Sequence, residues 1–101
     1  MKLLKTEERS EELNFPAEKF GDPVTVQGGT KRTAGNAILV QSGGRYKLFS
    51  EGRDLIKFLE GEGHFKWARG ELPFRAGDTF LAEKTGEYEI NGKCVFIAVR
   101  K

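Results

Sequence analysis

After Pro23, no window of about 11 residues keeps an apolar stripe at the 3.6-residue period of a helix. The chain is instead cut into short apolar pieces by glycine pairs and turn residues: VTV, GGTKRTAGN, AILVQ, SGGR, YKLF, SEGRD, LIKFL. Turn signals recur about every 8–12 residues, the spacing of an all-β sandwich or barrel. In this pattern GGTKRTAGN falls as a loop, whose flanking glycines with Lys31 and Arg32 raise the idea of an anion cradle. It has neither the P-loop spacing nor a following helix, so a solvated hairpin loop is the simpler expectation.

The end of the chain allows a register to be written. Asn91-Gly92 is the dipeptide that best tolerates the positive φ angles of a type I′ turn, so Ile90 is expected opposite Lys93, Glu89 opposite Cys94 and Tyr88 opposite Val95. Alternation then places Tyr88, Ile90, Val95, Ile97 and Val99 on one face, the expected core face. Glu87, Glu89, Cys94, Phe96 and Ala98 fall on the other. That second face turns apolar along the final strand, and is expected to pack under another sheet, the N-terminal segment or a second subunit.

A chain of 101 residues is expected to form one domain with one core. The opening MKLLKTEERSEELNF is rich in Lys and Glu, so residues 1–22 are set apart as a tail, a short amphipathic helix or an added strand. Residues 23–101 form the β domain. The single cysteine, Cys94, has no internal disulfide partner, and its strand context with Val95 and Phe96 points to a packed, inert thiol; with no secretory signal pattern, a cytoplasmic setting is expected. No apolar run approaches a membrane span of about 20 residues. Seventeen basic residues against fifteen acidic ones are interleaved along the chain, which offers little pull on nucleic acid. Lys66, Trp67 and Arg69 alternate cation and aromatic, a thin basis for single-strand binding.

Two segments carry a resemblance. DLIKFLEGEGHF, Asp54 to Phe65, resembles the strand and glycine turn that close the first motif of the cupins, and FRAGDTFLAEKTGEYEING, Phe74 to Gly92, resembles their second motif. The second is similar to the C-terminal cupin-like domain of type I mannose-6-phosphate isomerases. The resemblance implies an all-β, single-domain jelly-roll barrel of the RmlC-like kind, with its edges protected by closure or by dimerisation. It also implies where a metal would sit, because a cupin site takes two histidines and a glutamate from the first motif and a histidine from the second. Here the glutamate position falls on Asp54, the histidine pair on Leu48 and Ser50 or on Lys47 and Phe49, and the last histidine on Tyr88. The proline and glycine positions of the second motif fall on Glu83 and Thr85. With one carboxylate and no imidazole, neither a metal nor another cofactor is expected.

The expected function is therefore a metal-free, degenerate cupin module that binds a small polar ligand, such as a sugar or sugar phosphate, or serves as a regulatory or interaction domain. Tyr88 faces inward by parity with Ile90, and its hydroxyl needs a partner. Asp54, Tyr46, Trp67 and Lys84 are the other candidates for ligand contact at the barrel mouth. The alternative is a small isomerase or epimerase using His64, the one histidine, and Tyr88 as proton carriers, which requires the two to meet in one pocket. As partners, a carbohydrate ligand and a second copy of the chain are expected, the latter through the outer face with Phe96 and Cys94.

Overall fold

The computed structural model describes residues 2–100. Ten strands make up the fold: β1 (Lys2–Lys5), β2 (Val24–Val26), β3 (Gly29–Ala34), β4 (Ala37–Ser42), β5 (Arg45–Ser50), β6 (Arg53–Trp67), β7 (Gly70–Arg75), β8 (Thr79–Glu83), β9 (Gly86–Asn91) and β10 (Cys94–Arg100). The segment expected as a loop, GGTKRTAGN, is a strand. Gln27 and Gly28 both take positive φ (45° and 78°) in the two-residue turn between β2 and β3, where Val26 pairs with Gly29, the geometry of a tight primed turn. Gly35 does the same for the next hairpin, with φ 61° and Ala34 paired to Ala37. Turn chemistry here is packed so densely around β3 that the strand between the turns is masked in the sequence.

Strand pairing is antiparallel throughout. One sheet runs β1-β8-β6-β10-β4-β3-β2; the other is formed by β5, β9, the second half of β6, and β7. The long β6 belongs to both sheets, pairing with β8 and β10 through Arg53–Gly61 and with β9 and β7 from Glu62 onward. The switch happens at Gly61-Glu62-Gly63. A Cβ on Gly63 would lie 1.8 Å from the Asn91 carbonyl oxygen, and one on Gly61, where φ is 88°, would lie 2.1 Å from that of Lys93. Only glycine lets the two backbones cross this closely.

This crossing overturns the expected last hairpin. β9 pairs with β5 and β6, whereas β10 pairs with β4 and β6, so Asn91-Gly92 carries the chain from one sheet to the other. Gly92 has positive φ while Asn91 does not, which rules out the type I′ turn. The face assignment changes with it. Cys94, Phe96 and Ala98 point inward under the second sheet, in one cluster with Tyr88 and Ile90. Ile97 and Val99 lie on the opposite face with Ala37, Leu55 and Leu81, covered by Leu13, Phe15 and Phe20 of the N-terminal segment. That segment adds β1 along β8 and then makes two 3-10 turns, Glu11–Asn14 and Ala17–Lys19. Both faces of β10 are thus buried within one chain, and the face with Phe96 and Cys94, expected as a dimer surface, is interior.

The architecture is all-β and jelly-roll-like, but the hydrogen-bonded sheet does not close into a complete barrel. β1, β2, β5 and β7 each pair with one strand only. These edges are blunted locally: β2 has three residues, β7 carries Pro73, and β1 and β5 carry lysines, devices that discourage edge-to-edge pairing. Between the sheets lies an aromatic interior. Phe58 stacks on Phe74 at 3.8 Å between ring centroids and meets Phe65, Phe80 and Phe96 at tilted or edge-on angles. Each such buried ring contributes about 1.5–3 kcal/mol of transfer free energy.

Candidate functional site

Inward-pointing residues on β10 run Cys94, Phe96, Ala98, Arg100, and those on β6 run Asp54, Ile56, Phe58; Arg100 is directly opposite Asp54 in the antiparallel register. The interior therefore turns from aromatic to charged within two residue pairs at one end of the strands. Asp54 is 2% exposed, and a carboxylate this deep needs hydrogen bonds and a counter-charge. It has both. The Tyr88 hydroxyl, from the opposite sheet, donates to Oδ2 at 2.9 Å, while Arg100 donates from Nε to Oδ1 at 3.1 Å and from Nη2 to Oδ2 at 3.2 Å. Nη2 also donates to the Phe49 carbonyl at 2.6 Å, which ties β10 to β5. The two-pronged contact is the geometry in which a guanidinium binds a carboxylate most firmly.

The electrostatics follow from this packing. Burial, then the neighbouring Asp54 charge, push the Tyr88 phenol well above its ordinary value, so it holds its proton and acts as a donor. The hydrogen bond to Asp54 raises the Arg100 guanidinium further, against a smaller opposing effect of desolvation. Burial raises Tyr46, and pushes the Cys94 thiol up to about 11, which keeps it protonated and unreactive at neutral pH.

The positions that the sequence resemblance assigned to metal ligands are Leu48 and Ser50, or Lys47 and Phe49, with Asp54 and Tyr88. Along β5 the pleat turns Tyr46, Leu48 and Ser50 inward and Lys47 and Phe49 outward, and Leu48 lies opposite Tyr88. Ser50 donates its hydroxyl to the Gly52 and Ala82 carbonyls. The donor set contains no imidazole, and both oxygens of its single carboxylate are already engaged by Arg100 and Tyr88, so these residues do not fit a divalent metal. Arg100 supplies the positive charge at this place. Among the described residues no group of three or more His, Cys, Asp or Glu side chains is arranged to hold a metal ion.

A cleft of about 550 Å³ opens at this end, lined by Lys31, Asn36, Tyr46, Lys47, Asp54 and Arg100 among others. Tyr46 is 4% exposed and stands edge-on to Phe96 at 5.7 Å. Its hydroxyl has no hydrogen-bond partner among the described residues. Tyr88, Asp54 and Tyr46 are thus gathered at one end. Trp67 packs against the aromatic interior beside Tyr88 without lining the cleft. Lys84 sits in the β8–β9 turn with positive φ and is not among the lining residues. His64 is exposed on the outer side of β6, beside a more apolar groove with Leu3, Leu72, Phe74 and Phe80. His64 and Tyr88 therefore point to opposite sides of the sheet and share no pocket. Lys31 lines the cleft while Arg32 reaches back to the Gly21 and Phe20 carbonyls, so the two do not form one anion cradle.

Arg100 escaped the sequence reading because the assumed hairpin turned its face outward. The available signal was the run Phe96, Ala98, Arg100 at alternate positions ending in a cation, with Asp54 two residues ahead of Ile56 and four ahead of Phe58 on the same face of β6.

No protein-family model matches the sequence, and no curated protein sequence matches it. Solved structures do. The mannose 6-phosphate isomerase of Bacillus subtilis superposes over 79% of this chain with a TM-score of 0.65 and 18% identity, and the chain spans 28% of that enzyme's length. Streptomyces PAC13, in a structure with uridine, matches 84% of this chain and 77% of its own length, with a TM-score of 0.67 and 13% identity. A protein of unknown function (DUF1255) from Acinetobacter sp. ADP1 matches 80% of this chain and 90% of its own, with a TM-score of 0.61 and 13% identity. Among the described residues no helix is long and apolar enough to cross a membrane. The strand order, the glycine crossing and these superpositions together identify a cupin-like fold, related in structure to that of the phosphomannose isomerases.

Proposed function

We propose that this domain is a metal-free cupin-like module that binds a small polar ligand of carbohydrate type in the mouth cleft, and does not transform it. The observation that carries this reading is the Asp54–Tyr88–Arg100 cluster, a buried polar network opening onto a cleft of ligand size beside the Tyr46 hydroxyl, which has no partner among the described residues. The network is internally satisfied and its tyrosine is held protonated, which suits recognition better than proton transfer. The carbohydrate class comes from the isomerases that share the fold, and PAC13 with uridine supports a small polar ligand on this frame; fold alone does not carry function across. The test is thermal melting of the full chain against sugars, nucleosides and their phosphates. A ligand at a hundred times its Kd stabilises by about 2.7 kcal/mol, visible as a rise in Tm. A flat response across the panel would sink the reading.

A further inference from the structure

Charge in the mouth cleft is one-sided. Its lining holds one carboxylate, Asp54, against the cations Lys31 and Arg100, with Lys47 at the rim and its side chain turned to the outer side of β5. The carboxylate is already neutralised by Arg100 and capped by the Tyr88 hydroxyl, so it has little left to offer a ligand. Lys31 has no ion pair among the described residues. Lys47 has one, to Glu87 at 3.5 Å, but both side chains are more than half exposed, and such a pair is weak. Of the neutral groups at the cleft, the Tyr46 hydroxyl has no partner among the described residues and is free to donate, whereas the Asn36 amide nitrogen already donates to the Arg100 carbonyl at 2.8 Å. A ligand that completes these groups is rich in acceptors and negatively charged.

Resting on the proposed small-ligand reading, we infer that the ligand carries an oxyanion, a carboxylate or a phosphate, received by Arg100 and Lys31 of the cleft lining. Arg100 suits the task because it is already held. Nε and Nη2 are fixed on Asp54 and the Phe49 carbonyl, Nη1 makes no bond among the described residues, and the side chain remains 61% exposed along the cleft. A planar guanidinium pinned on one edge loses little further freedom when its other edge binds. Asp54 and Tyr88 are then positioning residues, and the arginine works as a built-in cation that the protein cannot lose to a chelator.

Titration calorimetry on the full chain, using glucose, glucuronate, glucose phosphate and inorganic phosphate, tests this directly. One or both of the charged sugars are expected to bind and glucose is not; which anion wins separates carboxylate from phosphate. Added salt is expected to weaken binding, since charge drives it. Lys31→Glu is expected to weaken the preferred anion by about tenfold and Arg100→Met by about a hundredfold, the range for losing a bond to a charged group. Because Arg100→Met also removes the partner of a buried carboxylate, Lys31→Glu, on a side chain with no ion pair among the described residues, decides the matter if the other variant does not fold. Equal affinity for glucose and its charged derivatives, or an unchanged anion affinity in Lys31→Glu, overturns the anion assignment and leaves the small-ligand reading in place. If none of the four binds, the anion assignment is overturned, and a flat neutral panel then removes the small-ligand reading with it.

Discussion

The two ends of the same interior are built on opposite principles. At one end Phe58, Phe65, Phe74, Phe80 and Phe96 fill the space between the sheets with rings alone, and nothing there needs a specific partner beyond close contact. At the other, Asp54, Tyr88 and Arg100 fill it with three groups that are stable only as a set. The strands are shared: β6 supplies Phe58 and Asp54, and β10 supplies Phe96 and Arg100. Stability is thus concentrated where the interior is dry, and a preorganised polar surface is held where it meets solvent. Removing a ring at the dry end forfeits packing; removing one polar member at the mouth strands the others.

Phe58→Ala attacks the first end where one ring touches four others, and is expected to cost about 3–5 kcal/mol, enough to unfold a marginal domain. Urea denaturation measures it, and a loss under about 1 kcal/mol would mean that the dry end is not the main source of stability. Next in size, Arg100→Met is expected to cost about 2 kcal/mol, less than the roughly 3–5 of a fully buried pair because solvent reaches the guanidinium. The double variant Asp54→Asn with Arg100→Met is expected to be more stable than Arg100→Met alone, since the stranded charge is gone. Additive losses in that cycle would show that the two do not act as a pair. Tyr88→Phe, which removes one hydrogen bond and keeps the ring, is expected to cost about 1 kcal/mol.

The smallest effect distinguishes the ends by pH. Folding raises Tyr88 well above its ordinary 10.0, so its contribution is complete below pH 10 and is lost as pH climbs above it, because the unfolded chain then releases a proton that the folded chain keeps. Cys94 behaves alike between its ordinary 9.0 and about 11. Urea midpoints are therefore expected to fall through this alkaline range, and to fall less steeply in Tyr88→Phe above pH 10. Equal slopes would place the tyrosine in a wetter setting than its burial implies.

Local turn chemistry and alternation were legible in the chain. They were enough for an all-β domain and for the inward direction of Tyr88 and Ile90; the glycines expected to close a strand at Gly61-Glu62-Gly63 instead lie inside the continuous β6 and let it cross from one sheet to the other. They misjudged β3, where turn residues on both sides hid a strand whose stability comes from its neighbours β2 and β4. They also misjudged the Asn91-Gly92 step, since a dipeptide suited to a hairpin equally permits a crossover when another backbone is close. Gly92 is such a case: a Cβ there would approach the Glu62 carbonyl oxygen to 2.4 Å.

Residue types, order and spacing by themselves determined that strands form, where most of their turns fall, and that Tyr88 and Ile90 share an inward face. Only the tertiary structure decided that β9 and β10 part into different sheets, that both faces of β10 are buried, and that Arg100 turns inward onto Asp54. The reason is that alternation is a property of one strand, whereas which face is inside depends on pairing with β4 and β6 across long stretches of chain. A single change of sheet inverts the assignment of every side chain that follows it.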